Sequence, residues 1–160
     1  MNSPAINFQS PPSQLRSAFL STSYGTAQRR YQLSHAGGVL PFWSLPQQRW
    51  AILTAWNPHG QASDPASNAE AQSRLRAALA AWPALEGVNG EGNWAEPSLI
   101  VPALNLRRAL EIGQDFGQAA LIWGVGRRAA LVWCAPDVRV ERFWMAAAGA
   151  YGTGQKGLLC

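Results

Sequence analysis

The fold prediction depends on the stretch Arg49-Trp50-Ala51-Ile52-Leu53-Thr54-Ala55-Trp56-Asn57-Pro58. Its small apolar residues alternate with larger ones, as in a strand, where successive side chains point to opposite faces. One face carries Ala51, Leu53 and Ala55, and the other carries Trp50, Ile52, Thr54 and Trp56. The first face suits packing against helices, and the second suits a partly covered surface or a site. Asn57-Pro58 ends the strand, because proline has no N–H to donate to the sheet.

The composition predicts a single packed domain. The chain has 160 residues, of which 48% are hydrophobic and only 14% charged, which favours a packed globule over a disordered chain. We expect a disordered tail over 1–14, an α+β domain over 15–145 and a flexible tail over 146–160. Two cysteines, Cys134 and Cys160, are too few for a disulfide framework or a zinc site and are expected to be reduced thiols.

The sequence also suggests where the protein acts. It contains no apolar run long enough to cross a bilayer and no basic segment followed by an apolar one at its start. We therefore expect a cytoplasmic protein without a membrane partner.

The order of the elements predicts the architecture. Asp64-Pro65 is typical of a helix start, and Asn89-Gly90 indicates a hairpin before a strand over 94–101. With a second helix over 102–114 and a strand over 118–125, the order is strand, helix, strand, strand, helix, strand. This predicts a ferredoxin-like split β-α-β antiparallel sheet with two helices on one face. An N-terminal segment and a C-terminal hairpin extension would be added to it.

In that arrangement the polar residues at one end of the sheet converge. The strand 50–56 would lie antiparallel to 94–101, which brings Glu96 close to Trp56 and Asn57, and Gln118 would start its strand at the same end. These side chains would lie on the face away from the helices, part of which residues 24–48 are expected to cover. The inference depends on the hairpin at Asn89-Gly90.

Short blocks of the sequence carry a family resemblance. They are Thr54-Ala55-Trp56-Asn57-Pro58, a downstream Asn68, Trp94-Ala95-Glu96-Pro97-Ser98, and Phe116-Gly117-Gln118-Ala119. Together they resemble the signature of an uncharacterised bacterial family, the domain of unknown function 3293, over roughly residues 15 to 132. The resemblance implies a small bacterial cytoplasmic protein and no known activity. The matching positions are Thr54, Trp56, Asn57, Asn68, Glu96 and Gln118.

Glu96 is the candidate catalytic residue, because the predicted pattern puts this carboxylate on the aromatic face. Desolvation by Trp56 and Trp94 would raise its pKa, as a general acid or base requires. Alternatively, Glu96 accepts hydrogen bonds from a loop or pairs with an arginine. The candidate ligand-binding residues are Thr54, Trp56, Asn57, Asn68 and Gln118, each of which could instead hold a turn, a helix start or a loop.

A nucleic-acid-binding module is the alternative function. Ferredoxin-like sheets can present aromatic residues for base stacking, and Trp50 and Trp56 lie on the appropriate face. Paired arginines could contact phosphates. These are Arg29, Arg30, Arg107, Arg108, Arg127 and Arg128. The aromatic consensus of RNA-recognition modules is absent, however.

The sequence contains no phosphate-binding loop, no Gly-x-Ser-x-Gly elbow and no recognisable Cys–His spacing, and we expect neither a metal nor a cofactor. The preferred hypothesis is a domain that binds a small polar ligand or nucleotide in a pocket built around Trp56, Asn57 and Glu96. The second alternative is a structural or protein-interaction domain. Whether a reaction is catalysed, and in which oligomeric state, is left open.

Overall fold

A computed structural model describes residues 13–149, and within this range the chain forms three helices and eight strands. The helices are α1 (Ser13–Ser21), α2 (Pro65–Ala78) and α3 (Leu106–Asp115). The first four strands are β1 (Tyr24–Gly25), β2 (Arg30–Ser34), β3 (Arg49–Leu53) and β4 (Leu85–Asn89). The other four are β5 (Glu96–Pro102), β6 (Ala120–Val125), β7 (Arg128–Trp133) and β8 (Arg139–Ala147).

The strands form one antiparallel sheet in the order β1-β2-β8-β7-β6-β3-β5-β4. The sheet curls until its two ends meet. Gly90 N, just after β4, donates to Ser23 O, just before β1, over 2.8 Å. The Arg30 guanidinium on β2 donates to Val88 O (2.7 Å) and Gly90 O (2.9 Å). These contacts give the sheet the shape of a nearly closed barrel.

The ferredoxin-like fold prediction is wrong. Residues 24–34 and 128–147, predicted to be an added segment and an extension, supply strands of the same sheet, which curls and carries three helices within the described part of the chain. The physical reason is that the edges of a short sheet expose unpaired N–H and C=O groups, and continuing and curling the sheet pairs or covers most of them.

The local strand pairings of the prediction are nevertheless present. Ile52 lies opposite Ile100 in the antiparallel β3–β5 pair, and Asn89 lies opposite Glu96 in the β4–β5 hairpin. Asp64 caps α2 by accepting a hydrogen bond from Ser67 N over 2.9 Å, as its position before Pro65 predicts. The second helix begins four residues later than predicted, with Asn105 as its N-cap.

The two faces of β3 belong to two separate cores, as the alternation predicts. Ala51, Leu53 and Ala55 lie in the outer core, together with apolar residues of α2 and α3. Trp50 and Ile52 lie in the inner core, which the curled sheet encloses. The expectation that residues 24–48 cover this inner face is confirmed.

The inner core is rich in aromatic rings. The Trp43 ring lies edge-on to both Tyr31 (centroids 5.0 Å apart) and Trp50 (5.6 Å). Helix α1 packs against the same core, with Phe19 edge-on to Trp133 at 5.5 Å. The interior is therefore filled with side chains over much of its length, so a ligand site on the inner face would lie at an end of the sheet.

The predicted tails fall mainly outside the described residues. Helix α1 begins at Ser13 and β8 ends at Ala147, while 1–12 and 150–160 are not described. Among the helices of the described part, none combines the length and the hydrophobicity that crossing a bilayer requires.

Candidate functional site

The loop that follows β3 is organised by Asn57. Its backbone is left-handed (φ 48°), a conformation that asparagine tolerates better than most residues. Its side-chain Nδ2 donates to Glu96 Oε1 over 2.7 Å, and its Oδ1 accepts from Ser63 N over 3.0 Å. One amide therefore joins the end of β3, the start of β5 and the approach to α2.

Asn68 on α2 completes this arrangement. Its Oδ1 accepts from Asn57 N over 2.9 Å, and its Nδ2 donates to Asn57 Oδ1 over 3.0 Å. The residue is only 3% exposed, which rules out the alternative of a solvent-facing residue in the first turn of the helix. The two asparagines thus fix the loop against the helix.

Thr54 and Gln118 also meet at this end of the sheet. Thr54 Oγ1 donates to Pro97 O over 2.8 Å, and Gln118 Nε2 donates to Trp56 O over 3.2 Å. The structure therefore brings together all six residues that the sequence nominated. Thr54, Asn68 and Gln118 each hydrogen-bond to the segment that carries Trp56 and Asn57.

Gln72 is a member of this network that the sequence analysis missed. It is 2% exposed, and its Oε1 accepts from Ala55 N over 3.0 Å. Its spacing of four from Asn68 places both side chains on one face of α2, a signal that was available in the sequence.

A row of polar residues lies on the inner face of β4 and β5. Gly87 pairs with Ser98 and Asn89 with Glu96, and residues directly opposite each other in an antiparallel pair share a face. Ile100, two residues beyond Ser98, belongs to the inner core, so Glu96 and Ser98 lie on the inner face as well.

Trp56 joins the same row from the neighbouring strand. The β3–β5 register pairs Leu53 with Leu99 at the end of β3, and a regular continuation over three residues would set Trp56 opposite Glu96. The Asn57–Glu96 hydrogen bond shows independently that the loop after β3 reaches the start of β5. We call the four residues Trp56, Asn89, Glu96 and Ser98 the Glu96 site.

Three buried polar atoms of the Glu96 site have no hydrogen-bond partner within the described residues. They are Trp56 Nε1, Asn89 Oδ1 and Ser98 Oγ. Ser98 is completely buried, and its Oγ lies so close to Gly87 that a β-carbon there would be 2.6 Å away. Because buried polar atoms in folded proteins are nearly always hydrogen-bonded, three such atoms in one row are unusual.

Burial raises the pKa of the partly buried Glu96 carboxyl, and the hydrogen bond from Asn57 partly opposes this rise. None of the ion pairs found within residues 13–149 involves Glu96. The predicted contribution of Trp94 to this burial is wrong. Trp94 ends a 3-10 turn before β5 and is 86% exposed, so its ring covers little of the protein.

Five of the six arginines nominated for nucleic acid make side-chain contacts within the described part of the protein. Arg30 donates to the carbonyl groups of five residues: Ser23, Gly25, Thr26, Val88 and Gly90. Arg107 and Arg108 each lie within 3.4 Å of a Glu111 oxygen. Arg29 stacks on Phe42 and Arg128 on Trp144, while Arg127 is exposed in the β6–β7 turn. Trp50, a nominated stacking residue, is completely buried.

The described residues offer little support for a nucleophilic cysteine or for a metal site. Cys134 is buried, and burial raises the pKa of its thiol to about 11, which disfavours the reactive thiolate. Between residues 13 and 149, no three side chains of the metal-binding types lie together. Cys160 lies outside the described residues.

The fold and the site define a class: an α+β domain with a curled antiparallel sheet and a polar cluster at one end of its interior. Residues 53–121 are similar to the family described as "Protein of unknown function (DUF3293)", which confirms the resemblance. The match is shorter than the predicted span of 15 to 132 but contains all six nominated residues. Comparisons with curated proteins and with solved structures gave no match.

Proposed function

We propose that this domain binds a small polar molecule at the Glu96 site. The observation that carries the proposal is the set of three unpartnered buried atoms beside a carboxyl group. Within the described hydrogen bonds, only Oε1 of that carboxyl has a partner, and Oε2 has none. Leaving a buried donor or acceptor unpaired costs on the order of 1–3 kcal/mol, so a molecule that supplies the missing partners would bind favourably.

The spacing of these groups fits a small molecule. Glu96 and Asn89 lie directly opposite each other, and Ser98 is two residues along β5, a rise of about 7 Å. The indole of Trp56 adds an apolar surface, which is typical of ligand sites that combine a few polar groups with aromatic lining. A compound with two or three polar groups would span the row.

Glu96 is the residue we propose to exchange a proton with the bound molecule. Its raised pKa brings the carboxyl closer to neutral pH than that of an ordinary glutamate, which suits a general acid or base. The neighbouring Asn57 amide holds one of its oxygens in place, leaving the other for the ligand. The proposal covers binding, and the reaction, if there is one, follows from the chemistry of the ligand.

Nucleic-acid binding and a purely structural role would require different properties of the same residues. Base stacking would need an exposed aromatic face, but Trp50 is buried, and the donors of Arg30 are directed at backbone carbonyls. A purely structural site would use Glu96 only as the acceptor for Asn57. The substitution Glu96→Gln separates these roles, because the amide oxygen can still accept from Asn57 while the charge is lost.

The test is a thermal-shift screen of the wild type, Glu96→Gln and the control Glu70→Gln. Glu70 is exposed on α2, so its substitution leaves the site untouched. The compounds are amines, amino acids, sugars, sugar phosphates, nucleotides and short oligonucleotides at low and moderate salt. We expect a small compound to raise the melting temperature of the wild type and of Glu70→Gln but not of Glu96→Gln. Stabilisation by oligonucleotides alone, abolished by salt, would overturn the proposal.

A further inference from the structure

We infer that the molecule bound at the Glu96 site carries a positively charged nitrogen, an ammonium or guanidinium group. The inference rests on the proposed function and narrows it from polar ligands in general to cationic ones. It is carried by the charge and the hydrogen-bonding capacity of the four side chains.

The charge of the site favours a cation. Glu96 is its one ionisable side chain, because Trp56, Asn89 and Ser98 are neutral, and no ion pair within residues 13–149 neutralises it. An ionised carboxylate without a counterion attracts a cation and repels a phosphate or carboxylate group.

Arg30 does not supply the missing positive charge. Its guanidinium borders β4 on the side away from β5, where it donates to Val88 O and Gly90 O. Its neighbour Ser23 donates in turn to Glu91 Oε1 over 3.0 Å. Burial lowers the pKa of Arg30, and the negative charge of Glu91 opposes this fall. The positive charge of Arg30 is thus shared with Glu91 and with the carbonyl groups that close the sheet.

The hydrogen-bonding capacity of the Glu96 site also favours a cationic ligand. Two atoms without a described partner, Glu96 Oε2 and Asn89 Oδ1, can only accept while Glu96 is ionised, and Ser98 Oγ can also accept. An ammonium group has three donors and no acceptor, so it suits Glu96 Oε2 and Asn89 Oδ1, while Ser98, about 7 Å along β5 from Glu96, would accept from a further donor of the ligand.

The remaining donor indicates a second feature of the ligand. Trp56 Nε1 can only donate, so it requires an acceptor, such as a hydroxyl or carbonyl oxygen close to the charged nitrogen. Amino sugars and amino-acid amides combine these groups. A bound cation would also offset the burial that disfavours the ionised form of Glu96.

The experiment compares amines with their uncharged counterparts by thermal shift and isothermal calorimetry. The pairs are glucosamine with N-acetylglucosamine, and glycinamide with N-acetylglycinamide, each at millimolar concentration. We expect at least one amine to bind the wild type and Glu70→Gln, its acetylated counterpart to bind about tenfold more weakly or not at all, and Glu96→Gln to lose about tenfold or more in affinity.

Two results would overturn the inference, and they separate it from the proposed function. If the broad screen finds a neutral or anionic compound whose binding is lost in Glu96→Gln and in Trp56→Phe, the site stands but its ligand is not a cation. If neither amine binds the wild type, the inference also fails. The proposed function fails only if the broad screen finds no small compound that depends on Glu96.

Discussion

Asn57 Nδ2 lies 2.7 Å from Glu96 Oε1, and this hydrogen bond links the loop after β3 to the first residue of β5. The same Asn57 side chain also contacts Ser63 N and Asn68. The position of the Glu96 carboxyl is therefore set by an amide that is itself fixed on two other sides. Such support from neighbouring groups is what a binding residue needs to keep its geometry.

The substitution Asn57→Gly tests the importance of this amide. Glycine adopts the left-handed backbone at least as readily as asparagine, so the change removes the side-chain hydrogen bonds without adding backbone strain. Because Asn68 and Glu96 lose partners, we expect the free energy of unfolding to fall by about 1–3 kcal/mol in urea denaturation.

His59→Gly is the matched control for Asn57→Gly. His59 is also left-handed (φ 61°), is exposed, and makes no described side-chain hydrogen bond. Because glycine relieves the strain of the left-handed backbone, the free energy of unfolding should stay unchanged or rise by up to about 1 kcal/mol. Equal effects of the two substitutions would show that the Asn57 contacts contribute nothing to stability.

Glu96→Gln is expected to change how stability depends on pH. Burial raises the pKa of Glu96 in the folded state above that in the unfolded chain, so its ionisation opposes folding. This cost is absent below the unfolded-state pKa, near 4.5, and grows as the pH rises towards and through the folded-state pKa. Glu96→Gln should therefore match the wild type in melting temperature near pH 4 and exceed it near pH 7. A variant less stable than the wild type at pH 7 would indicate that the ionised carboxylate is held by a partner and stabilises the fold.

Arg30→Lys tests the closure of the sheet. Arg30 Nη1 and Nη2 reach carbonyls on both sides of the junction between β1 and β4, and a lysine ammonium cannot reproduce this planar fork. We expect the free energy of unfolding to fall by about 2 kcal/mol or more, measured by chemical denaturation. The control is Arg29→Lys, which keeps a cation over Phe42 and should cost no more than about 0.5 kcal/mol. Similar small effects of both would mean that Arg30 does not join the two ends.

Gly124→Ala tests the packing of the inner core. Gly124 lies opposite Trp50 in the β3–β6 pair, and a β-carbon there would fall 2.2 Å from Trp50 Cζ2. The indole of Trp50 is completely buried and donates to Gly126 O, so it cannot move aside, and we expect a loss of about 3 kcal/mol.

Gly37→Ala provides the comparison for Gly124→Ala. No atom lies within 4 Å of the added carbon at Gly37, and only its left-handed backbone (φ +62°) opposes the change. It should cost about 1 kcal/mol, and an equal loss at Gly124 would contradict the close packing of Trp50.

The convergence of the six nominated residues was predictable from the sequence because it depends on local signals. Alternation along β3, the turn at Asn89-Gly90 and the cap at Asp64 fix which residues approach Glu96, and the structure shows these elements. The error at Trp94 also has a local cause. The connection from Asn89 to Glu96 needs a 3-10 turn, which takes Trp94 out of the strand to which alternation had assigned it.

The closure of the sheet was not predictable in the same way. It depends on contacts between distant parts of the chain, such as Arg30 with Val88 and Gly90, and on the pairing of β2 with β8. Alternating residues such as Tyr31 and Leu33 indicate a strand with one buried face, but not which strand lies beside it. The unpartnered atoms of Asn89 and Ser98 were missed for a related reason, since their environment depends on the curled sheet.

The most direct test of ligand binding at the Glu96 site is the NMR spectrum of the tryptophan indole N–H groups in ¹⁵N-labelled protein. It is recorded with and without the compound that stabilises the wild type most in the thermal-shift screen, and Trp56→Phe assigns the Trp56 signal. Because Trp56 Nε1 is buried without a described partner, its signal should move downfield as it gains an acceptor, while that of the 86% exposed Trp94 stays in place. A spectrum in which Trp94 or Trp144 moves and Trp56 does not would place the binding elsewhere and contradict the account.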